Sequence, residues 1–225
     1  MKLTDRLVKS QVRRPARRRG PSAGADPSRD RVFAAAATAF AAHGFAGTSV
    51  DRIAEAARLN KAMIYYHFGS KASLYREILR DMFGAVGARA RAVAASDLPP
   101  TEKVRAFIET FAAEAQARPH FPPIWFREIA EGGAHLDDAT LGDMTGVLKA
   151  LASILEEGVR AGAFRPINPL LVHAGIVGPV LLFFASEGIR RRVERSGVRG
   201  AASLARDEVV AHVQRVALGL LEGRT

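Results

Sequence analysis

The stretch from residue 48 to residue 70 constrains the fold more strongly than any other part of the sequence. It begins with Thr48-Ser49-Val50-Asp51, the pattern of a capping box, which predicts a short helix that runs through Ala57. Asn60 is a favourable N-cap, so a second short helix is predicted over Lys61–Phe68. Only three residues separate the two helices, and this spacing predicts a helix-turn-helix.

The apolar residues of this stretch have the spacing that a helix-turn-helix needs. Ala54 supplies a small side chain where two helices must pack closely, and Ile64 supplies an apolar anchor on the next helix. Ile53, Ala57 and Leu59 complete the predicted inner face. Any helical hairpin could show this pattern, so the surrounding sequence has to support it.

Helical signals continue on both sides of the motif. Asp26-Pro27 is typical of a helix start, and Gly44 is predicted to end that helix. Ser70 is predicted to cap a long helix over about Lys71–Ala95, and Asp97–Pro100 reads as a linker. No segment shows the alternation and hairpin turns of β-strands, so the sequence predicts an all-α protein. Further helices are predicted at about 101–117, 123–131, 138–162, 167–192 and 203–222.

Residues Leu170–Ala185 form an almost entirely apolar run. A helix that spans a bilayer needs about 20 residues, which is more than this run provides. The run also contains His173 and Pro179. We interpret it as a helix buried in a core or in an oligomer interface, with a kink at Pro179, and we expect no membrane span.

Positive charge is distributed unevenly along the chain. The formal net charge is +10, from 33 Lys and Arg against 23 Asp and Glu. Residues 1–25 contain eight basic side chains and one acidic, residues 32–80 six and three, and residues 81–225 seventeen of each. An excess confined to one end favours nucleic acid or an anionic membrane surface as a partner. The absence of Cys excludes disulfides, thiolate metal sites, iron–sulfur clusters and Cys nucleophiles.

The first 25 residues are rich in Arg, Gly and Pro and lack hydrophobic periodicity. This composition predicts a disordered basic arm that could follow DNA phosphates or enter a minor groove. A solvated tail without a binding role and an Arg-rich transit peptide are the alternatives. No apolar stretch follows the basic residues, which argues against a secretory signal, and we expect a cytoplasmic protein.

Several short segments together resemble one protein family. They are Ala39-Phe40, Gly44-Phe45, Thr48–Val50, Ile53–Ala57 and, most specifically, Ile64–Leu74 with the sequence IYYHFGSKASL. On these residues, the stretch from Arg31 to Leu79 resembles the DNA-binding domain of the TetR family of transcriptional regulators. One position departs from the family, which usually has Gly where this chain has Arg58 in the turn. A positive φ at a non-Gly residue costs about 1 kcal/mol or more.

The resemblance implies a division of the chain into a helix-turn-helix DNA-binding domain over 26–74 and a helical effector-binding and dimerisation domain over 75–225. Helix-turn-helix proteins usually read two half-sites as dimers, which implies double-stranded DNA with a palindromic operator as the partner. The last two long helices have apolar faces and are the predicted homodimer interface. Core packing within one subunit would produce the same faces.

The predicted DNA contacts follow from the position of each residue in the motif. Residues at the start of the second motif helix face base edges, which is the role predicted for 61–63. The resemblance implies that Tyr65 and His67 hold the phosphate backbone, whereas capping, core packing or solvation is the alternative role at each position. The candidates are Thr48, Ser49, Arg58, Lys61, Ala62, Met63, Tyr65, Tyr66, His67 and Lys71.

The resemblance also implies a small-molecule pocket among the helices that follow the DNA-binding domain. Aromatic side chains in this part of the chain favour an apolar effector, although each could belong to an ordinary core or surface. The candidate effector contacts are Phe107, Phe111, His120, Trp125, Phe126, Glu128, Met144, His173 and Phe183.

We therefore predict a dimeric, DNA-binding repressor that is released from its operator by a small apolar effector and that needs no cofactor or metal. The six His residues form no HExxH pair, and neither a Gly-rich phosphate loop nor a GxSxG motif occurs, so an enzyme is not expected. The alternatives are a regulator without a small-molecule effector and a basic structural protein that binds nucleic acid or a membrane surface.

Overall fold

A computed structural model describes residues 26–223 and contains ten helices and no strand in this range. The prediction of an all-α protein is confirmed. The basic arm predicted for residues 1–25 lies outside the described residues. The helices are α1 (Pro27–His43), α2 (Val50–Ala57), α3 (Lys61–Phe68), α4 (Lys71–Ala94), α5 (Pro100–Ala117), α6 (Phe121–Ala130), α7 (Asp138–Arg160), α8 (Pro169–Ala185), α9 (Glu187–Arg195) and α10 (Arg206–Glu222).

Side-chain caps set the starts of α1, α3 and α4. The Asp26 carboxylate accepts a hydrogen bond from the backbone N–H of Ser28 at 2.9 Å. The side-chain oxygen of Asn60 accepts from the N–H of Ala62 at 2.9 Å, and Ser70 caps α4 in the same way. Each cap satisfies an N–H group that has no partner within its own helix. The predicted bounds of these helices are confirmed to within one residue.

The start of α2 corrects one detail of the prediction. Its N-cap is Ser49, whose Oγ accepts from the N–H of Arg52 at 3.1 Å, and an Arg at this position cannot return the second bond of a capping box. Thr48 is instead buried, with its hydroxyl 3.1 Å from the carbonyl oxygen of Ala39 and 2.8 Å from that of Gly44. Thr48 therefore joins the end of α1 to the start of α2.

One long helix, α4, packs against both halves of the molecule. Near its start, the ring of Tyr75 meets Phe40 of α1 edge-on, with 4.7 Å between ring centroids. Near its end, Gly87 lies against α7, where an added Cβ would be 3.8 Å from Cγ2 of Val147. The small residue permits this close approach, and α4 also contacts α3 and α5. The helix-turn-helix and the helical body therefore share one continuous element.

The segment predicted as a single helix at 167–192 forms two helices, α8 and α9, whose axes differ by 63°. The break lies at Ser186, and α8 continues through Pro179. The Ser186 hydroxyl donates to the carbonyl oxygen of Phe183 at 3.3 Å, and the Arg190 guanidinium donates to the same oxygen. These side chains satisfy a carbonyl that the helix would otherwise leave without a partner as it ends.

Within residues 26–223, no single helix is both long enough and apolar enough to cross a bilayer. Only α8 and α9 taken together reach that length and composition, and they do so across their bend.

The close approach of Gly158 to Phe164 shows that the helical body is tightly packed at this point. A Cβ on Gly158 would lie 1.9 Å from Cδ2 of the buried Phe164 ring. Gly158→Ala should lower the free energy of unfolding by about 1–3 kcal/mol, because a ring held by its neighbours cannot swing aside. Urea denaturation followed by circular dichroism measures this change.

The matched control is Gly142→Ala in the same helix, where an added Cβ would meet nothing within 4 Å. This variant should gain up to about 1 kcal/mol from the higher helix propensity of Ala. Equal stability of the two variants would contradict the tight packing at Gly158.

Candidate nucleic-acid interface and ligand cavity

The turn between α2 and α3 places Arg58 in the left-handed region, with φ 53° and ψ 46°. Among the described residues, Arg58 is the only one other than Gly with a positive φ, a conformation that costs about 1–2 kcal/mol. The guanidinium of Arg31 donates to the carbonyl oxygens of Ala57 and Arg58 and so stabilises the carboxyl end of α2. Sequence reasoning missed Arg31, because its partners lie on another helix.

Helix α3, the second helix of the motif and the candidate recognition helix, is anchored by buried side chains on one side and exposed to solvent on the other. Ile64 is fully buried and Phe68 is 7% exposed, and these two side chains hold α3 against the rest of the domain. Tyr65 is 51% exposed and Tyr66 is 78% exposed. Large exposed aromatic side chains with a hydroxyl group are suited to phosphate and groove contacts.

The first residues of α3 have the accessibility that base reading requires. Lys61 and Ala62 are exposed, and Met63 is half-buried. The Lys61 ammonium lies 3.2 Å from the Asp51 carboxylate, with both side chains more than half exposed. Such an exposed ion pair contributes little stability, so the ammonium is free to exchange this partner for DNA.

His67 has a structural partner at the position where a phosphate contact was predicted. Its side chain is 6% exposed, and Nε2 lies 2.7 Å from the Ser28 hydroxyl and 3.7 Å from the Asp26 carboxylate. These contacts tie α3 to the first turn of α1. His67 therefore takes part in a contact between two helices, and its phosphate contact stays a prediction.

Lys71 is likewise engaged inside the domain. Its ammonium donates to the carbonyl oxygens of Phe45 and Thr48, each 3.0 Å away, and lies 4.2 Å from the centroid of the Phe45 ring. Two charge-assisted hydrogen bonds and a cation–π contact explain the cation at the start of α4. Lys71 and the buried Thr48 thus both take part in the connection between α1, α2 and α4, and their DNA contacts stay predictions.

The amino end of α2 remains open to solvent. Ser49 and Arg52 are exposed, and the Arg52 guanidinium reaches only the carbonyl oxygen of Gly47, at 3.4 Å. A cation in the first turn of a helix is opposed by the helix dipole, so Arg52 has no structural reason for its charge there. Arg52 is absent from the DNA contacts predicted from the sequence.

Three guanidinium groups lie along a groove of about 610 Å³ between α1 and α2. Arg31, Arg52 and Arg58 line it, and small side chains such as Ala34 and Ala56 form its floor. The side chain of Arg58, which extends from the strained turn, therefore belongs to a positively charged edge of the helix-turn-helix.

The helical body contains an enclosed apolar cavity between α4, α5, α6, α7 and α8, with a volume of about 50 Å³. A second cavity of about 260 Å³, between α6 and α8, shares Trp125, His173, Val177 and Leu181 with the first. Among the predicted effector contacts, four line the enclosed cavity and Phe126 lines the second. The lining of the enclosed cavity is Phe83, Val86, Phe111, Phe121, Trp125, Met144, Val147, Leu148, His173, Val177 and Leu181.

Two of the predicted aromatic effector contacts lie outside these cavities. Phe107 is fully buried beside Phe111, with 5.4 Å between ring centroids, and belongs to the core. Phe183 lines a separate groove between α8, α9 and α10, where the Arg190 guanidinium lies 4.1 Å from its ring centroid. An apolar side chain in a helical body can face several spaces, and periodicity does not distinguish them.

The two predicted polar contacts His120 and Glu128 also lie outside the cavities. His120 precedes α6, and burial lowers the pKa of its ring. Glu128 is fully buried and accepts a hydrogen bond of 2.8 Å from the Tyr75 hydroxyl. Burial and the neighbouring Glu128 raise the pKa of Tyr75, so the phenol stays protonated and donates this bond.

Comparison with known proteins assigns most of the chain to two family models. Residues 32–78 match the model described as "Bacterial regulatory proteins, tetR family", and residues 100–207 match "Tetracyclin repressor-like, C-terminal domain". The first match covers the helix-turn-helix, and the second covers α5 to α8, which line the cavity together with α4.

Curated relatives are named as transcriptional repressors. The repressor NicS of Pseudomonas putida is 31% identical over 166 residues, which cover 71% of this chain and 76% of NicS. The repressor KstR2 of Mycolicibacterium smegmatis is 31% identical over 144 residues, which cover 61% of this chain and 68% of KstR2.

Solved structures share the fold at low sequence identity. A tetR-family regulatory protein from Rhodococcus RHA1 gives a TM-score of 0.69 at 19% identity, covering 88% of this chain and 98% of its own. The fatty acid degradation regulator FadR from Bacillus halodurans gives 0.65 at 20% identity, with 87% and 97% covered. At this identity, the structural likeness supports the fold alone.

His173 makes the stability of the body depend on pH. Burial lowers the pKa of its ring below the ordinary value of 6.5, so the unfolded chain binds the proton more readily than the folded chain. The stability is therefore fully present above pH 6.5 and is lost as the pH falls from there towards the folded pKa. His173→Leu should flatten part of this dependence, and His120 should maintain the rest. Urea midpoints measured across this pH range test the prediction, which parallel curves for both proteins would contradict.

Proposed function

Because the chain belongs to the TetR family of bacterial transcriptional regulators, we propose that it acts as a homodimeric repressor that binds a palindromic operator and is released by a small apolar effector. As a member of this family it is a DNA-binding regulator and not an enzyme. The observation that carries the proposal is the recognition helix, which is anchored by buried side chains and exposes a polar and aromatic face to solvent.

The proposed DNA surface combines the open face of α3 with the open end of α2. Lys61 and Ala62 would face base edges, with half-buried Met63 beside them, and Tyr65 and Tyr66 would reach phosphates or the groove. The hydroxyl of Ser49 and the N–H groups at the start of α2 suit a phosphate. The guanidinium groups of Arg52 and Arg58 add sequence-independent attraction.

The proposed dimer interface is the outer face of α8 with α10. Leu171 is 65% exposed and Leu182 is 58% exposed, and the backbone of Gly175 and Gly178 lies open between them. On α10, Val216 and Leu220 are exposed as well. An apolar face of this extent on two adjacent helices is typical of a subunit interface, where four helices form a bundle.

The proposed effector site is the cavity between α6 and α8 together with the enclosed space behind it. Its walls are almost entirely apolar, and His173 is the polar group that both spaces share. Burial lowers the pKa of His173, so the ring is neutral near pH 7 and offers one donor and one acceptor. This lining suits a mainly apolar molecule that carries one polar group.

Selection of bound sequences from random duplex DNA tests the function, and it should return a palindrome with two equal half-sites. With that operator, Lys61→Ala should raise the dissociation constant by roughly 10- to 100-fold through the loss of a base or phosphate contact. Lys149→Ala, at an exposed position on α7, is the matched control and should bind like the parent. Equal operator affinity of both variants at moderate salt would contradict the proposed recognition surface.

The dimer interface is tested by placing a charge on the outer face of α8. Leu171→Glu should convert the dimer into a monomer, because each subunit would bury one unpaired carboxylate in the interface. Leu98→Glu, at an exposed Leu in the connection between α4 and α5, is the control and should remain dimeric. Sedimentation velocity distinguishes the two outcomes, and a dimeric Leu171→Glu would place the interface elsewhere.

A further inference from the structure

Two buried glutamates of the helical body have contrasting surroundings. The Glu114 side chain is 1% exposed and has two guanidinium partners, Arg89 and Arg118. The Glu128 side chain is 0% exposed, and within residues 26–223 its ion-pair partner is the imidazole of His135, which is a cation only when it is protonated. No Lys or Arg in this range lies within ion-pair distance, so this buried carboxylate has no permanent counter-charge.

The groups that surround Glu128 are metal-ligand types. Nδ1 of His135 lies 2.9 Å from Oε1 of Glu128 and 3.7 Å from Oε2 of Glu131. One ligand atom from each of these three residues can be chosen so that all lie within 4.8 Å of one another. The Tyr75 hydroxyl donates to Oε1 of Glu128 at 2.8 Å and fixes the orientation of this carboxylate.

The turn after α6 brings the three residues together. Glu128 and Glu131 are three residues apart at the end of α6, so they lie on the same side of the helix. Gly132 and Gly133 both have positive φ, at 70° and 75°, and reverse the chain. His135 is thereby returned over Glu128, with its backbone N–H 3.3 Å from Oε2 of that residue.

We propose that Glu128, Glu131 and His135 bind one divalent metal ion of the Zn²⁺ type at the junction between the helix-turn-helix and the helical body. This proposal goes beyond operator and effector binding and does not depend on either. Two carboxylates balance the charge of a divalent cation, and the cation in turn gives buried Glu128 a permanent counter-charge.

The donor set favours a transition metal over Mg²⁺ or Ca²⁺. One imidazole nitrogen and two carboxylates suit Zn²⁺, Ni²⁺ or Co²⁺, whereas Mg²⁺ and Ca²⁺ prefer oxygen ligands throughout. The Glu131 side chain is 45% exposed and that of His135 is 22% exposed, so the ion has a route from solvent to the buried carboxylate. Three protein ligands leave a coordination position for water.

The position of the site connects it to both halves of the molecule. The His135 ring lies 4.3 Å from the Phe45 ring, in the connection between α1 and α2, and 5.1 Å from the Tyr75 ring of α4. A metal ion on His135 would fix an imidazole that packs against Phe45 of the DNA-binding domain and against Tyr75 of α4, so residues of both domains surround the ligands.

Calorimetric titration of the full chain with Zn²⁺ tests the proposal. The parent should bind one ion per chain, and His135→Gln and Glu131→Gln should each weaken binding by at least about tenfold, which is the scale that even outer-shell changes reach. His43→Gln replaces an exposed His outside the cluster and should bind Zn²⁺ like the parent. Circular dichroism spectra should match for all variants, since Glu131 and His135 are not fully buried.

Two further measurements make the outcome decisive. Zn²⁺ should raise the melting temperature of the parent more than that of Glu131→Gln at the same Zn²⁺ concentration, because tighter binding to the folded state stabilises it more. Mg²⁺ at the same concentration should show no heat of binding. Equal Zn²⁺ affinity of the parent and Glu131→Gln would overturn the proposal, and so would equal affinity for Zn²⁺ and Mg²⁺. No DNA enters these experiments, so their failure is distinct from a failure of operator binding.

Discussion

The packing of α4 against both α1 and α7 is the constraint on which the rest of the structure depends. Its 24 residues span about 36 Å, so a single rigid rod reaches from the recognition helix to the cavity. Tyr75 near its start touches Phe40 of α1, and Phe83 further along lines the enclosed cavity. Because a continuous hydrogen-bonded helix is stiff, a displacement at one end would be carried to the other and would change the relative orientation of the two domains.

Helix α6 forms a second connection between the cavity and the DNA-binding domain, and it does so through polar contacts. Trp125 lines the cavity, while Arg127, two residues later, donates to the carbonyl oxygen of Ala42 at the end of α1 at 3.1 Å. Glu128 next to it holds Tyr75 and His135. A single helix therefore presents one face to the ligand space and another to the DNA-binding domain. A coupling of 1–3 kcal/mol, about the size usual for allostery, needs only a small difference in these few polar contacts between the two states.

Local sequence signals predicted the helices, whereas contacts between residues far apart in the sequence determine the partners of individual side chains. Asp26, Asn60 and Ser70 act within two or three residues of their own position, so the sequence predicts their caps correctly. His67 and Lys71 are predicted to bind phosphate, and the structure adds internal partners that lie 39 and 26 positions away. No pattern in one sequence reveals such pairs, because they exist only after helices have packed. For the same reason, the sequence does not show that Phe111 lines the cavity and Phe183 does not. It also does not show that the turn at Gly132 and Gly133 brings the three residues of the cluster together.

The size of the cavity has a consequence for how an effector would act. About 50 Å³ of enclosed space holds one or two water molecules, whereas small-molecule sites occupy about 300–1,000 Å³. An effector that enters beyond the outer cavity must therefore displace a wall, and α8 supplies three of the four residues that both spaces share. Val177 and Leu181 face the cavity from α8, while Leu171 and Leu182 on the same helix are exposed at the proposed dimer face. Movement of α8 would then alter the spacing of two subunits as well as the volume of one cavity, which links the ligand directly to the distance between paired recognition helices.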